Sequence, residues 1–234
     1  MSNAFASMPE EIRRHMRVRQ ELLSTPEGRE QLQREEAEAE ERTRQARAEQ
    51  ERKRLLEKSS AAFDRAEVPK RLVRVLGGEI RETGSLEAVR GWLATPAEES
   101  WSMLLFGSVG AGKSVAAAWW LRQSQARRKA WVHVAEIVRM GMFGDGIDEM
   151  WDAGALVIDD IGVEYADKKG AFIALLDAVI EKRCADERKT LITTNLHPGD
   201  LVRRYGERVV DRLRLGRIYG DAGSSMRAPD QKSP

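Results

Sequence analysis

Polar and apolar positions divide this chain into two regimes. From Glu27 to Lys58 the string EGREQLQREEAEAEERTRQARAEQERKRLLEK is dominated by Glu, Arg, Gln and Ala, lacks Pro, and has its only Gly at the edge. Acid-to-base pairs four apart recur at Glu30–Arg34, Glu38–Arg42, Glu40–Arg44 and Glu49–Lys53. Each supports a helix by roughly 0.2–0.5 kcal/mol. Leu32, Ala39 and Ala46 keep heptad spacing, but Lys53 breaks the series and alanine makes a thin seam. The pattern predicts a long exposed helix, with a weak coiled coil as the second reading. Ahead of it, MPEEIRRHMRVRQELLSTPEG sets Ile12, Met16, Leu22 and Leu23 roughly along one helical side, behind Pro9 and two glutamates that fit a helix start. A short amphipathic helix of this kind suits docking to a partner, or packing on its own domain.

From Val68 onward the pattern alternates between strand and helix. WSMLLF (101–106), AWVHV (130–134), ALVID (155–159) and TLITT (190–194) are short apolar runs of the buried-strand type. Between them lie helical stretches such as SVAAAWWLRQSQ and GAFIALLDAVIEKRC. This alternation predicts a parallel sheet covered by helices, an α/β fold. The expected organisation is a charged helical region at 1–58, a hinge at 59–67, the α/β domain at 68–222, and a loose tail at 223–234.

Charge narrows the range of partners. Lys and Arg number 39 against 38 Asp and Glu, so bulk positive charge is not what holds a partner, although local patches remain open. One cysteine, Cys184, cannot form an internal disulfide, which fits a reducing cytoplasm. The three histidines are far apart and lack zinc-ligand spacing. No apolar run is long enough to cross a bilayer, and no membrane partner is expected.

The candidate chemistry lies at the strand ends. GSVGAGKS, Gly107 to Ser114, is the P-loop pattern, with a strand directly before it and a helix directly after. Gly107, Gly110, Ala111, Gly112, Lys113, Ser114 and Val115 form the expected nucleotide cradle. The glycines let backbone N–H groups wrap phosphates, Lys113 reaches the β- and γ-phosphates, and the Ser114 hydroxyl binds Mg²⁺. ALVIDDIG then ends a strand in two acids: Asp159 to hold Mg²⁺ through water, and Asp160 to orient an attacking water. Asp in place of the commoner Glu shortens the reach, so slow ATP hydrolysis is expected. TLITTN ends in Asn195, an amide that could sense the γ-phosphate.

Taken in order, the P-loop, LVIDDIG, ITTN and RYGERVVDRLR resemble the AAA+ ATPases of the DnaC/IstB type, bacterial replicative helicase loaders and the helper ATPases of transposition. The resemblance spans about Val68 to Arg227. It implies a three-layer α/β P-loop domain with a five-stranded parallel sheet of order 5-1-4-3-2. It also gives roles to the arginines of RRYGERVVDRLRLGR, six in fifteen positions. Arg212 of the DRL element would be a finger reaching the ATP of a neighbouring subunit, with Arg208 in support and self-association through the ATP site. Arg227 of SSMR matches a nucleotide-sensing position, with Met226 departing from the usual Tyr, and Glu164 matches an acidic position after the two aspartates. Arg203, Arg204, Arg214 and Arg217 are assigned to solvent, interface or DNA phosphates. Adenine would sit near Val68 to Leu72. The loop 141–148 is short for a DNA-engaging insertion, and Lys168 and Lys169 are further candidates for contact with single-stranded DNA.

The leading expectation is an ATP-dependent loader that binds a hexameric replicative DNA helicase through residues 1–58 and single-stranded DNA through its AAA+ assembly. Three other readings stand beside it. One is a transposition helper that binds duplex DNA and a transposase, and a second is an adaptor that ATP switches without hydrolysis. The third, a monomeric small-molecule kinase, is disfavoured by the Asn195 strand end and the arginine-rich stretch.

Overall fold

A computed structural model of the chain describes residues 9–134, 146–163 and 170–221. Glu164, Lys168, Lys169, Arg227, the first part of the 141–148 loop and the tail lie outside the described residues. The chain divides into two compact units between Arg54 and Leu55.

The first unit holds helix α1 (Glu10–Ser24) and most of α2 (Pro26–Arg65). Between them Thr25 is extended, and its side-chain oxygen accepts from the Gly28 backbone N–H at 3.1 Å. With Pro26 behind it, this is a helix start of the Thr-Pro type. Gly28 is required there, because an added Cβ would lie 2.2 Å from the Leu22 carbonyl oxygen. Arg19 pairs with Glu36 at 2.6 Å and ties α1 to α2. Of the four expected pairs along α2, Arg34–Glu30 (2.6 Å) and Arg42–Glu38 (3.2 Å) close. Residues 59–67, expected as a hinge, instead continue α2 as far as Arg65, and Ser59, Ala62 and Phe63 are buried in the second unit. Phe63 packs into that unit's core, which is why the helix persists.

The second unit continues with α3 (Lys70–Leu76), α4 (Gly84–Leu93), β1 (Ser102–Gly107), α5 (Lys113–Gln123), β2 (Lys129–His133), α6 (Gly146–Asp152), β3 (Ala155–Ile161) and α7 (Ala171–Ala185). It ends with β4 (Lys189–Thr194), α8 (Pro198–Tyr205), α9 (Glu207–Arg214) and β5 (Arg217–Asp221). The strands form one sheet of order β2-β3-β4-β1-β5, every pairing parallel, which is the expected order read from the other edge. Side chains alternate between two cores. Leu104, Leu156, Ile158 and Ile192 face Phe172, Leu176, Val179, Val210 and Leu213 on one side. Met103, Leu105, Val157 and Leu191 face Leu72, Leu86, Trp92, Ala117 and Trp120 on the other. Three consecutive alanines, Ala116 to Ala118, present almost no side-chain bulk where α5 meets the sheet, and Trp92 stacks on Trp120 at 5.0 Å between centroids. The central apolar runs of β1 to β3 are buried on both faces because helices cover both sides of the sheet.

Two features depart from the pattern reading. The arginine-rich stretch, to which the pattern assigns no element, forms two helices, broken by Gly206 at φ 84° and ψ 163°, a conformation open only to glycine. Both pieces bury an apolar stripe, Leu201 and Tyr205 from α8, then Val209, Val210 and Leu213 from α9. The fifth strand, RIYGD, has no apolar run, and it lies at one edge of the sheet beside β1. Gly220 there faces the Phe106 ring, 2.4 Å from an added Cβ, so this position has no room for a side chain.

Candidate nucleotide-binding site

The C-terminal ends of four neighbouring strands open on one cavity of about 670 Å³. That volume is in the range of small-molecule sites, and this sheet edge is where ligands bind in doubly wound folds. β1 leads into the glycine loop, β2 delivers His133, β3 delivers Asp159 and Asp160, and β4 delivers Thr193 with Asn195 just beyond.

Backbone geometry shapes the loop. β1 stops at Gly107 and α5 begins at Lys113, and Gly110 (φ 87°) and Gly112 (φ 88°) lie in the left-handed region where glycine bears no Cβ penalty. A Cβ on Gly112 would also come within 3.0 Å of Thr83 Cγ2. Thr83 is fixed in turn as the N-cap of α4, its Oγ1 accepting from the Leu86 N–H at 3.1 Å.

The side chains of the site are joined by two hydrogen-bonded paths. Lys113 is buried, and its Nζ donates to the carbonyls of Gly107 (3.0 Å) and Ser108 (2.8 Å) and to Asn195 Oδ1 (2.9 Å). Asn195 Nδ2 donates onward to Asp160 Oδ1 at 2.8 Å. On the second path Ser114 Oγ donates to Asp159 Oδ1 at 2.8 Å, and Thr193 Oγ1 donates to the same oxygen at 2.7 Å. Thr193 Oγ1 also accepts from the Asp160 N–H at 2.8 Å. Asp159 is 3% exposed, so a buried carboxylate is kept in place by two hydroxyls.

How adjacent aspartates both face the site follows from a bulge. Along a regular strand they would point to opposite faces. Here Ile158 pairs with Ile192 but Ile161 pairs with Thr194, so β3 carries one residue more than β4 over this step. Asp160 takes φ 64°, a left-handed conformation that Asp tolerates better than most residues. The strand turns at that point, and Asp159 and Asp160 both line the cavity.

The expected cradle residues Gly110, Ala111, Gly112, Lys113, Ser114 and Val115 line the cavity together with Asp159, Asp160 and Asn195, and Gly107 enters through its carbonyl. Of the proposed adenine segment, Arg71 and Leu72 line it, while Val68 is packed in the core. The apolar wall continues through Val75, Ile80 and Leu86, which motif reading passed over. His133 and Thr193 were passed over as well. The second Thr of TLITT precedes the amide by two residues, and β2's last residue is in register with Asp159; these signals become usable once the strand order is known.

Arg212 and Arg208 are not among the residues that line the cavity. Both lie on α9 against α7, where Arg212 pairs with Asp177 and Glu181, each at 3.2 Å. Arg203 and Arg214 pair with Asp200 and Asp211 of their own helices. Among the described residues no group of three or more His, Cys, Asp and Glu could hold a metal by itself. Ser114 and Asp159 instead offer adjacent oxygens of the kind a hard cation takes alongside phosphate and water.

Sheet order and the glycine loop at the end of β1 together define an α/β protein of the P-loop class. No family model matches the chain. Seventy residues are 33% identical to the replicative helicase loader DnaC of Escherichia coli K12, covering 30% of this chain and 28% of that protein. The match thus spans less than a third of the curated relative's length. The crystal structure of DnaI superposes with a TM-score of 0.55 at 19% identity, over 69% of this chain and 95% of that one. A putative primosome component of Streptococcus pyogenes serotype M3 gives 0.56 at 22% identity, over 72% and 98%. A DnaC helicase loader structure gives 0.50 at 22%, over 60% and 92%. These three structures share the fold of the α/β unit, and the 70-residue match is to a helicase loader. No helix among the described residues is long and apolar enough to cross a membrane.

Proposed function

We propose that this chain is an ATP-dependent helicase loader. The observation that carries the reading is the paired network at the sheet edge, Lys113–Asn195–Asp160 and Ser114–Asp159–Thr193. It joins a phosphate-binding lysine, a metal-binding hydroxyl–carboxylate pair and a water-orienting carboxylate in one cavity. ATP would bind with its base against Leu72, Val75, Ile80 and Leu86 and its phosphates in the glycine loop. Ser114 and Asp159 would hold Mg²⁺, which would supply positive charge against the triphosphate. Asp160 orients the attacking water, Asn195 reports on the γ-phosphate, and Arg212 of an adjacent copy stabilises the charge that develops there. Residues 1–58 dock a replicative helicase, and the assembled ATPase domains bind single-stranded DNA.

The test combines full-length protein with a replicative helicase, ATP and single-stranded DNA. Complex mass and ATP turnover are both followed. An ATP-dependent complex whose turnover single-stranded DNA stimulates is the expected result. Preference for duplex DNA and a transposase would make the chain a transposition helper. ATP binding without turnover would make it a switched adaptor, a reading favoured by the short Asp160 side chain tied to Asn195.

A further inference from the structure

A closed ring of charge stands on the face where α7 meets α9. Asp177 and Glu181 lie four apart on α7, and Arg208 and Arg212 lie four apart on α9, so each pair shares one side of its helix. Each carboxylate gives one oxygen to each arginine. Asp177 Oδ1 meets Arg212 Nη1 at 3.2 Å and Oδ2 meets Arg208 Nη2 at 3.5 Å. Glu181 Oε1 meets Arg212 Nη2 at 3.2 Å and Oε2 meets Arg208 Nη2 at 3.6 Å. Arg212 Nη1 also donates to the Arg208 carbonyl at 3.3 Å. The two arginines differ in exposure: the Arg208 side chain is 70% exposed and that of Arg212 only 22%.

The outer contacts, to the 70% exposed Arg208, add little to stability, because exposed pairs are screened and their long side chains lose rotamer freedom. What the ring does achieve is orientation. Both terminal nitrogens of Arg212 are gripped, so a side chain with many rotamers is held in one. We propose that Asp177 and Glu181 are positioning residues that hold the Arg212 guanidinium in the orientation needed to meet the phosphates of the next subunit. This rests on the reading that Arg212 works in trans. Preorganisation is where such a device has leverage, since misplacing a catalytic group by about 1 Å can cost up to about 100-fold in rate.

The experiment mixes two full-length chains. Lys113→Ala lacks a working site but donates Arg212, and Arg212→Ala keeps the site but donates no finger. Each alone is expected to be inactive, and the mixture to regain ATP turnover. A silent mixture overturns the trans reading, and the positioning role falls with it. Asp177→Asn with Glu181→Gln is then added to one chain at a time. On the Lys113→Ala chain the pair is expected to lower the regained kcat by roughly 10- to 100-fold. KM for ATP and assembled mass should stay unchanged. On the Arg212→Ala chain the same pair should have no effect. Asp177→Glu with Glu181→Asp, which keeps both charges, should restore a substantial part of the rate. A merely structural role would lower the rate from either chain, so equal losses, or none from the donor chain, would overturn the proposal while leaving the trans reading in place.

Discussion

The two units are held by opposite means. Between Pro26 and Arg54 the long helix is exposed at almost every position, and along it ion pairs and amide–carboxylate bonds join side chains four residues apart. The α/β unit is the reverse, with strands covered on both faces and polar groups admitted where their partners are fixed. The difference matters because order-of-magnitude energies diverge. A full burial of a large apolar side chain contributes roughly 1.5–3 kcal/mol, whereas an exposed pair contributes tenths. A helix of the first kind can change many side chains and keep its form, which suits a surface for partners. The second kind supports a site where positions must hold to a fraction of an ångström.

The largest effect should come from the site itself. Lys113→Ala removes the cation that the glycine loop, Ser108 and Asn195 position, and ATP turnover is expected to fall at least 100-fold. Folding should survive, as read by an unchanged circular dichroism spectrum. Retained turnover would detach the cavity from the proposed chemistry.

Next is Arg183, the most fully enclosed charge among the described residues. It is 0% exposed, and it donates to the carbonyls of Met150 (2.7 Å), Ala153 (2.8 Å) and Lys189 (2.9 Å) and to Thr190 Oγ1 (2.7 Å). Burial, and then Arg188, lowers its pKa to about 9. Arg183→Met keeps most of the volume but strands several buried acceptors, and should destabilise the unit by roughly 3–5 kcal/mol in denaturant unfolding. A loss below about 1 kcal/mol would mean that water satisfies those carbonyls as well as the guanidinium does.

A smaller effect is tied to pH. Lys129, bonded to Ser59 and to the Arg122 carbonyl, has its pKa lowered from 10.5 to about 8, chiefly by burial and against the pull of Asp64. Between those values the unfolded chain binds more protons than the folded one, so this group adds stability as pH rises from about 8 to 10.5. Wild-type protein should therefore gain on Lys129→Met over that window, in paired thermal melts. A constant difference between the two would show that the amine keeps an ordinary pKa.

The same contrast explains what the sequence made legible. Covered strands write themselves as apolar runs, so β1 to β4 stood out, and the glycine loop and double aspartate stood out because phosphate chemistry admits few residue types. β5 did not, since its residues, Arg, Ile, Tyr, Gly and Asp, make no apolar run. Thr193 and His133 were illegible because their roles come from register with neighbouring strands. The ring of Asp177, Glu181, Arg208 and Arg212 joins helices far apart in the chain. On each helix alone its members look like ordinary solvated charge.

The smallest expected effect tests the first unit. Glu30 and Arg34 are 65% and 75% exposed, and Glu38 and Arg42 are 68% and 80% exposed. Replacing Glu30 and Glu38 by Gln removes both ion pairs but leaves good helix formers in place, so the loss should be below about 1 kcal/mol in all. Salt should imitate the substitution, since charges are screened within about 3 Å at 1 M. The expected result is a slight drop in helical circular dichroism, equal for the double variant at low salt and the wild type at high salt, with the α/β unit's melting unchanged. If instead the double variant shifted the main transition, the exposed helix would be coupled to the folded core. The separation between a tolerant charged segment and an exacting sheet edge would then have to be abandoned.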